Sequence, residues 1–223
     1  MKLYLDTFDM TAWHEWMPTK LFYGITTNPI LAKKAGLTYP DIDWKSTINQ
    51  AAILRANELH IQLPSADEQS VDFASQIWTY AKNYRIKIVI KIPLTTEGIL
   101  LAPKIKALEL PILMTACYHS KQYITAAILE ADYIAPYFGR MIENGIDATH
   151  HLSQMRAMAE KNTLRCKILV ASLRTINQMI DLATDGHNHF TISPDLAKEL
   201  VIDKTTDTIA NEFAEIASKG TLK

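Results

Sequence analysis

The chain has 223 residues, of which 48% are hydrophobic and 21% are charged, and its formal net charge is −1. This composition is ordinary for a globular enzyme, and a charge near zero without a basic stripe argues against nucleic acid as a partner. The sequence has no apolar run of about 18 residues and no basic leader ahead of an apolar segment. We therefore expect no membrane partner, no signal peptide and a cytoplasmic location.

Strand-like and helix-like segments alternate along the whole chain. Apolar, β-branched runs predict eight strands, at residues 3–6, 23–26, 60–63, 86–92, 112–116, 133–137, 168–172 and 190–193. Between them, apolar residues recur at spacings of three and four, as in segments 71–81 and 124–131. Eight β-then-α units predict an α/β fold, a single-domain (β/α)8 TIM barrel over residues 1–223. A doubly wound open sheet is the alternative, but no glycine-rich nucleotide motif follows the first strand.

The end of the chain predicts one further amphipathic helix over residues 207–218, within a C-terminal extension at 204–223. Ile209, Phe213 and Ile216 form its apolar stripe. We expect this stripe to pack under the barrel or against a neighbouring subunit. Cys117 and Cys166 each lie in an apolar run, which favours buried, unreactive thiols over a disulfide or a nucleophile.

Lys91 has neighbours that are almost all apolar. It lies near the carboxyl end of IKIVIKIP, residues 86–93, which is typical of a strand buried on both faces. A lysine that reaches solvent from the strand end is the simpler interpretation. Burial would instead lower the pKa of the amine and make it a nucleophile that forms a Schiff base with a carbonyl substrate.

Polar side chains stand at the carboxyl ends of seven of the predicted strands, which is where barrel enzymes carry their active sites. In chain order they are Asp6, Thr26 with Asn28, Gln62, Lys91, Thr115 with Tyr118, Tyr137 with Arg140, and Ser172 with Arg174. One amine, one acid, hydroxyls, amides and two arginines would therefore converge on a single site around Lys91.

Several of these residues lie in recognisable motifs. They are LYLDT at residues 3–7, GITTNP at 24–29, IKIPLTTEG at 90–98, YIAPYFGR at 133–140 and VASLR at 170–174. In this order the chain resembles the small transaldolase family, in particular its fructose-6-phosphate aldolase branch, from residue 3 to about residue 196. The GITTNP and IKIPLTTEG motifs together are highly specific.

The resemblance implies a class I aldolase in which Lys91 attacks the ketone of a sugar phosphate or small hydroxyketone. Asp6 would assist proton transfer, although an aspartate there could instead cap the following helix. Asn28, with Thr26, would bind substrate hydroxyls, and Asn28 also suits the turn before Pro29. No metal and no organic cofactor are implied.

Three further positions bear on the type of reaction. In the family's transaldolases a glutamate stands in place of Gln62 and a phenylalanine in place of Tyr137, whereas the aldolase branch has Gln and Tyr. Gln62 cannot ionise and can only orient a water, while the Tyr137 hydroxyl can exchange a proton. Thr115 completes this predicted catalytic set. A packed aromatic with a satisfied hydroxyl is the alternative for Tyr137.

Arg140, Ser172 and Arg174 predict a phosphate site, because arginine binds phosphate through two parallel hydrogen bonds. Arg174 could instead be a surface arginine, since the aldolase branch often has lysine there. The pair His187 and His189 lacks a third metal ligand at a helpful spacing.

The leading function is therefore reversible cleavage of fructose 6-phosphate, or a related ketose, to dihydroxyacetone and an aldehyde phosphate. The first alternative is a transaldolase, and the second is a non-catalytic sugar-phosphate-binding barrel. Family members often form pentamer-based decamers, which implies a homo-oligomer. The chain departs from the family pattern at Ile30, at residues 39–43 and 141–145, and at Ser193. These positions affect the choice of substrate rather than the Schiff-base chemistry.

Overall fold

The structure is a computed structural model, and it describes residues 1–218. Eight parallel strands form a closed barrel in which each strand pairs with the next and β1 pairs with β8. The strands are β1 (Lys2–Asp6), β2 (Gly24–Thr26), β3 (Glu58–Gln62), β4 (Lys87–Pro93), β5 (Ile112–Cys117), β6 (Tyr133–Pro136), β7 (Lys167–Val170) and β8 (His189–Ile192). The predicted (β/α)8 barrel is confirmed, and each predicted strand is found with its ends within two residues.

Eleven α-helices of the described chain lie around or after the barrel. They are α1 (Met10–Trp16), α2 (Pro29–Lys34), α3 (Trp44–Ile53), α4 (Glu68–Ala81), α5 (Thr96–Lys106), α6 (Lys121–Ile128), α7 (Phe138–Glu143), α8 (Ala148–Lys161), α9 (Ile176–Thr184), α10 (Pro194–Val201) and α11 (Lys204–Ser218). Short 3₁₀ turns occur at Met17–Thr19 and Tyr39–Asp41. None of the helices within residues 1–218 is long and apolar enough to cross a membrane.

Strand β4 shows how the sequence sets the two faces of the barrel wall. Side chains alternate along a strand. Ile88, Ile90 and Ile92 accordingly belong to the large core between barrel and helices, whereas Val89 belongs to a small core inside the barrel. Lys91 shares the inward direction of Val89, two residues along the strand. The alternation therefore directs the lysine into the barrel and keeps it away from the helices outside.

Helix α11 lies away from the barrel. Every residue from Lys204 to Ser218 is exposed, including the predicted stripe of Ile209, Phe213 and Ile216, which are 41%, 65% and 65% exposed. Of the two expectations for this stripe, packing under the barrel is therefore wrong. Packing on a neighbouring subunit stays a prediction, and the part of the predicted extension at 219–223 lies outside the described residues.

Candidate active site

A cavity of about 730 Å³ opens at the carboxyl ends of the strands. All eleven polar residues that the sequence placed at the strand ends line this one cavity: Asp6, Thr26, Asn28, Gln62, Lys91, Thr115, Tyr118, Tyr137, Arg140, Ser172 and Arg174. The structure therefore brings together residues from seven strands and the loops after them. Their roles stay predictions, and the geometry below states what each can do.

Lys91 lies at the floor of the cavity and is 5% exposed. Its Nζ donates a hydrogen bond of 2.7 Å to the backbone carbonyl of Thr27, which directly follows β2. Burial lowers the pKa of the Lys91 amine, and the nearby carboxylate of Asp6 opposes this by favouring the charged form. An amine of lowered pKa in a cavity wide enough for a small ligand can act as a nucleophile.

Asp6 faces the cavity and does not cap a helix. Asp9 caps α1 instead, since its carboxylate accepts from the backbone N–H of Thr11 at 2.8 Å. The Thr26 hydroxyl lies 2.6 Å from Asp6 Oδ1 and 2.6 Å from the hydroxyl of Thr191. Thr191, from β8, was missed by the sequence reasoning, although alternation along β8 gives it the same inward direction as His189.

Gln62 ends β3, directly opposite Lys91 in the strand register. The hydroxyl of Tyr39 donates a hydrogen bond of 2.5 Å to the backbone carbonyl of Gln62. Tyr39 also packs edge-on against Trp44, with ring centroids 5.4 Å apart. The segment at 39–43, which the family pattern did not explain, therefore holds the end of β3 in place.

Tyr137 and Thr115 lie next to each other on the cavity wall, and their hydroxyls are 2.9 Å apart. Burial raises the pKa of Tyr137, so its hydroxyl keeps its proton at neutral pH and can donate it. Ala116, beside Thr115, adopts a left-handed backbone with φ of 57°. Such a conformation is costly for a non-glycine residue and often occurs at functional sites.

Arg140 is the better placed of the two arginines for binding an anion. Its guanidinium lies over the ring of Tyr137, 5.2 Å from the centroid, and no ion pair to it is found among residues 1–218. Arg174 instead forms a two-point ion pair with Glu143, with N–O distances of 2.7 and 3.3 Å. Although Arg174 lines the cavity, its charge is already matched by a carboxylate, which weakens its predicted role in phosphate binding.

Ser172 adopts a left-handed backbone with φ of 63°, and its carbonyl accepts from the N–H of Gly139 at 3.0 Å. A Cβ at position 139 would lie 2.1 Å from that carbonyl oxygen. The glycine of the YIAPYFGR motif is thus required for the close approach of α7, which follows β6, and the loop after β7. This approach brings Arg140 and Ser172 to the same rim of the cavity.

Asn28 performs the turn role that the sequence allowed. Its Oδ1 caps α2 by accepting from the N–H of Leu31 at 3.0 Å, while the residue still lines the cavity. The cavity mouth is also lined by Lys34, Asp195 and Glu199, which the sequence reasoning did not single out. Ile30, a departure from the family pattern, is 54% exposed at this mouth.

The remaining candidates, the two cysteines and the two histidines considered for a metal, occupy positions that the fold itself explains. Cys117 and Cys166 are buried free thiols, as predicted, and burial raises the pKa of each to about 12. No group of three histidine, cysteine, aspartate or glutamate side chains suited to a metal is found within residues 1–218. His189 is the first residue of β8.

The chain matches a family model described as Transaldolase/Fructose-6-phosphate aldolase over residues 3–222. Among its relatives is a protein named "Probable transaldolase" from Brucella ovis, 29% identical over 223 residues, covering 98% of this chain and 99% of the relative. A protein of the same name from Bartonella quintana is 28% identical over 216 residues, covering 96% of this chain and 95% of the relative.

Solved structures with a similar shape are larger and distant in sequence. A flavocytochrome b2 variant matches with a TM-score of 0.58 at 11% identity, covering 87% of this chain and 57% of that one. A mandelate oxidase variant matches with a TM-score of 0.59 at 11% identity, covering 86% of this chain and 65% of that one. The chain spans less than two thirds of their length, and at this identity the likeness shows the barrel fold alone.

Proposed function

The chain belongs to the transaldolase/fructose-6-phosphate aldolase family, and we propose that it is a class I enzyme that binds a ketose donor covalently through Lys91. The observation that carries this proposal is a buried amine of lowered pKa on the floor of a polar cavity. A lysine of this kind adds to carbonyl carbons, and the reaction needs neither a metal nor an organic cofactor.

In the proposed reaction, the free amine of Lys91 adds to the ketone carbon of the donor. The carbinolamine loses water to give an imine. The neighbouring hydroxyl then gives its proton to a base, the carbon–carbon bond breaks, an aldehyde leaves, and an enamine remains on Lys91. Protonation of the enamine and hydrolysis of the imine release the ketone fragment and restore the amine. Asp6, within reach of the Lys91 charge, is the proposed group for proton transfer.

The cleavage reaction is our leading proposal, because of the groups beside Lys91. An aldolase releases its three-carbon fragment by protonating the enamine and admitting water, whereas a transaldolase retains the fragment until an acceptor sugar arrives. Tyr137 keeps its proton and pairs with the Thr115 hydroxyl at 2.9 Å. Gln62, opposite Lys91 in the register, is uncharged and suited to orienting a water. These groups support cleavage of fructose 6-phosphate or a related ketose to dihydroxyacetone and an aldehyde phosphate.

A transaldolase that passes the same fragment between sugar phosphates is the second candidate. The observation in its favour is the printed name of the relatives, which are "Probable transaldolase" proteins covered almost end to end. Both candidates use the same imine on Lys91. They differ only in whether the enamine is protonated and the imine hydrolysed, or whether the enamine adds to the aldehyde of an acceptor sugar.

The phosphate of the substrate is proposed to bind Arg140 and Ser172, at the rim of the cavity. Unlike Arg174, Arg140 has no paired carboxylate among residues 1–218, and Ser172 contributes a hydroxyl from the adjacent loop. We further propose a cytoplasmic homo-oligomer. The exposed apolar stripe of α11 supports association with another copy of the chain. Analytical ultracentrifugation of the full chain measures the number of subunits.

One experiment tests the chemistry and a second separates the two candidates. Incubation with fructose 6-phosphate and borohydride should leave a reduced adduct that peptide mapping assigns to Lys91 and that Lys91→Met abolishes. An adduct elsewhere refutes the assignment. Free dihydroxyacetone released without an acceptor supports the aldolase. Formation of glyceraldehyde 3-phosphate and a seven-carbon ketose phosphate only after erythrose 4-phosphate is added, without free dihydroxyacetone, supports the transaldolase.

A further inference from the structure

Strand β3 ends at Gln62, whose backbone carbonyl faces a gap in the ladder with β2. Within that ladder Thr26 pairs with His60, and the N–H of Thr27 donates to the His60 carbonyl at 3.0 Å. A parallel ladder repeats every two residues, so the next donor would be the N–H of residue 29 and the next acceptor the carbonyl of Gln62. Residue 29 is proline, which has no N–H. The Gln62 carbonyl therefore needs a donor from elsewhere.

The hydroxyl of Tyr39 is that donor. Tyr39 begins the short 3₁₀ turn between α2 and α3, and its oxygen lies 2.5 Å from the Gln62 carbonyl oxygen. Burial raises the pKa of Tyr39, although the hydrogen bond to Gln62 opposes this, so the hydroxyl keeps its proton at neutral pH. A side chain from the loop thus takes the place of the backbone donor that the proline removes.

The ring of Tyr39 is held by aromatic packing on α3. It meets Trp44, the first residue of α3, edge-on with ring centroids 5.4 Å apart. Trp44 is itself buried, and it packs against Phe8 and Phe73 with centroids 5.8 and 5.7 Å away. The hydroxyl is therefore presented to β3 from a packed surface, which fixes its position.

One planar peptide unit carries both the Gln62 carbonyl and the N–H of Leu63. That N–H donates to the carbonyl of Lys91 at 2.9 Å. The unit is thus held from two sides, by Tyr39 on the side of β2 and by the main chain of Lys91 on the side of β4. Fixing this plane fixes the backbone that follows the Cα of Gln62, and with it the direction in which the Gln62 side chain enters the cavity.

From these contacts we infer that Tyr39 is a positioning residue that acts on the reaction through Gln62. Its hydroxyl holds the end of β3 so that the Gln62 amide stays opposite Lys91, where a water is to be oriented for hydrolysis of the imine. Tyr39 itself lies outside the cavity lining. This inference rests on the proposed function, because it depends on the role proposed there for Gln62.

The physical basis is the sensitivity of a reaction to the placement of its groups. Loss of the Tyr39 hydroxyl leaves the peptide unit after Gln62 with one hydrogen bond instead of two. A displacement of about 1 Å in a group that acts on the reacting atoms can cost about 10²-fold in rate. The turnover rate should therefore depend on Tyr39, whereas substrate affinity should change little, because Tyr39 is not in contact with the cavity.

The first test is Tyr39→Phe, which removes the hydroxyl and keeps the ring against Trp44. The kcat for consumption of fructose 6-phosphate, with or without erythrose 4-phosphate, should fall by about tenfold or more, with KM nearly unchanged. Tyr123→Phe is the matched control, because the Tyr123 hydroxyl also donates to a backbone carbonyl, that of Cys166 at 2.9 Å. Cys166 directly precedes β7, at the end of the barrel opposite the cavity. An unchanged kcat in Tyr39→Phe, or an equal fall in the control, overturns the inference.

A double-mutant cycle shows whether the effect passes through Gln62. Gln62→Ala removes the amide that orients the water, and Tyr39→Phe is then added to that variant. If Tyr39 acts by positioning Gln62, the second substitution should change kcat by no more than about twofold, because the two residues form one unit. Losses that multiply would show that Tyr39 acts independently of Gln62, and that result refutes its role as a positioning residue.

Amide hydrogen exchange measures the same contact without any catalysis. Deuterium uptake at the Leu63 N–H, resolved by mass spectrometry of overlapping peptides, should be faster in Tyr39→Phe than in the wild type and unchanged in Tyr123→Phe. Equal uptake in Tyr39→Phe and the wild type refutes the hold on the peptide unit. If the wild type forms no adduct on Lys91 but Tyr39→Phe still speeds exchange at Leu63, the Schiff-base function falls and the hold of Tyr39 on β3 stands.

Discussion

Replacement of Tyr137 by phenylalanine separates the chemical role of its hydroxyl from its structural role. The ring packs edge-on against Tyr118, with centroids 5.8 Å apart, and lies under the guanidinium of Arg140. Phenylalanine keeps both of these contacts. The change therefore removes one oxygen atom and its hydrogen bond to Thr115, and leaves the shape of the cavity wall intact.

The expected magnitudes follow from these contacts. The lost hydrogen bond costs about 0.5–1.5 kcal/mol of stability, and the partner hydroxyl of Thr115, which is 1% exposed, adds to the cost by losing its partner. If Tyr137 donates the proton that converts the enamine into the imine, the release of dihydroxyacetone should slow by about 10²–10⁴-fold. Transfer to an acceptor sugar needs no such proton from Tyr137, so the ratio of transfer to cleavage should rise.

Thr115→Val is the matched variant, because it removes the same hydrogen bond while Tyr137 keeps its hydroxyl. The assay measures free dihydroxyacetone and the seven-carbon ketose phosphate formed from fructose 6-phosphate with and without erythrose 4-phosphate, alongside urea unfolding of each protein. Similar losses of stability with a much larger loss of cleavage in Tyr137→Phe are expected. Equal effects of the two variants on cleavage would refute the tyrosine as proton donor and leave only a packing role.

Three further outcomes are expected. Arg140→Ala should weaken the binding of phosphorylated substrates by about 1.5–3 kcal/mol and leave the binding of unphosphorylated acceptors nearly unaffected. Arg174→Ala should have a smaller effect, because its guanidinium is already paired with Glu143. Equal losses on both substrate types would contradict the assignment. The free energy of unfolding, measured by urea denaturation, should fall as the pH drops from 6.5 towards about 4. The reason is that burial lowers the pKa of His189 to about 4, so the unfolded chain binds more protons in that window, and a flat profile would exclude this. EDTA should leave activity intact, and loss with rescue by zinc would indicate a metal-dependent aldolase.

The barrel could be predicted from the sequence because its strands are short, apolar and regularly spaced. Alternation along β4 also fixed which way Lys91 points, since the isoleucines on either side need the helix-covered face. The polar strand ends then had to meet, because all eight strands run parallel and their carboxyl ends lie at one side. A local pattern was enough for these features, because the position of a residue along a barrel strand determines whether its side chain points inward and how close it lies to the carboxyl ends.

Packing between helices was harder to predict, as α6 shows. Its apolar spacing identified the helix, but Ile124 and Ile128 are 51% and 77% exposed. The buried face is formed by Tyr123 and Ala126, and the Tyr123 hydroxyl donates to the carbonyl of Cys166 at 2.9 Å. An aromatic ring with a partner in the distant segment just before β7 is buried in preference to isoleucine, and only the tertiary structure reveals that partner.

The residues that the sequence could not assign are those whose roles depend on a partner far along the chain. Arg174 has the right type and place for a phosphate ligand, yet Glu143, 31 residues away, satisfies its charge. Glu58 and His60 look like polar residues in an apolar strand until the closed barrel brings Tyr4 and Tyr133 to the same carboxylate. Motifs therefore identify the candidate nucleophile, whereas its electrostatic surroundings are set by contacts across the barrel. Differences in reaction between close relatives should for this reason be sought among the inward residues beneath Lys91 as well as at the cavity mouth.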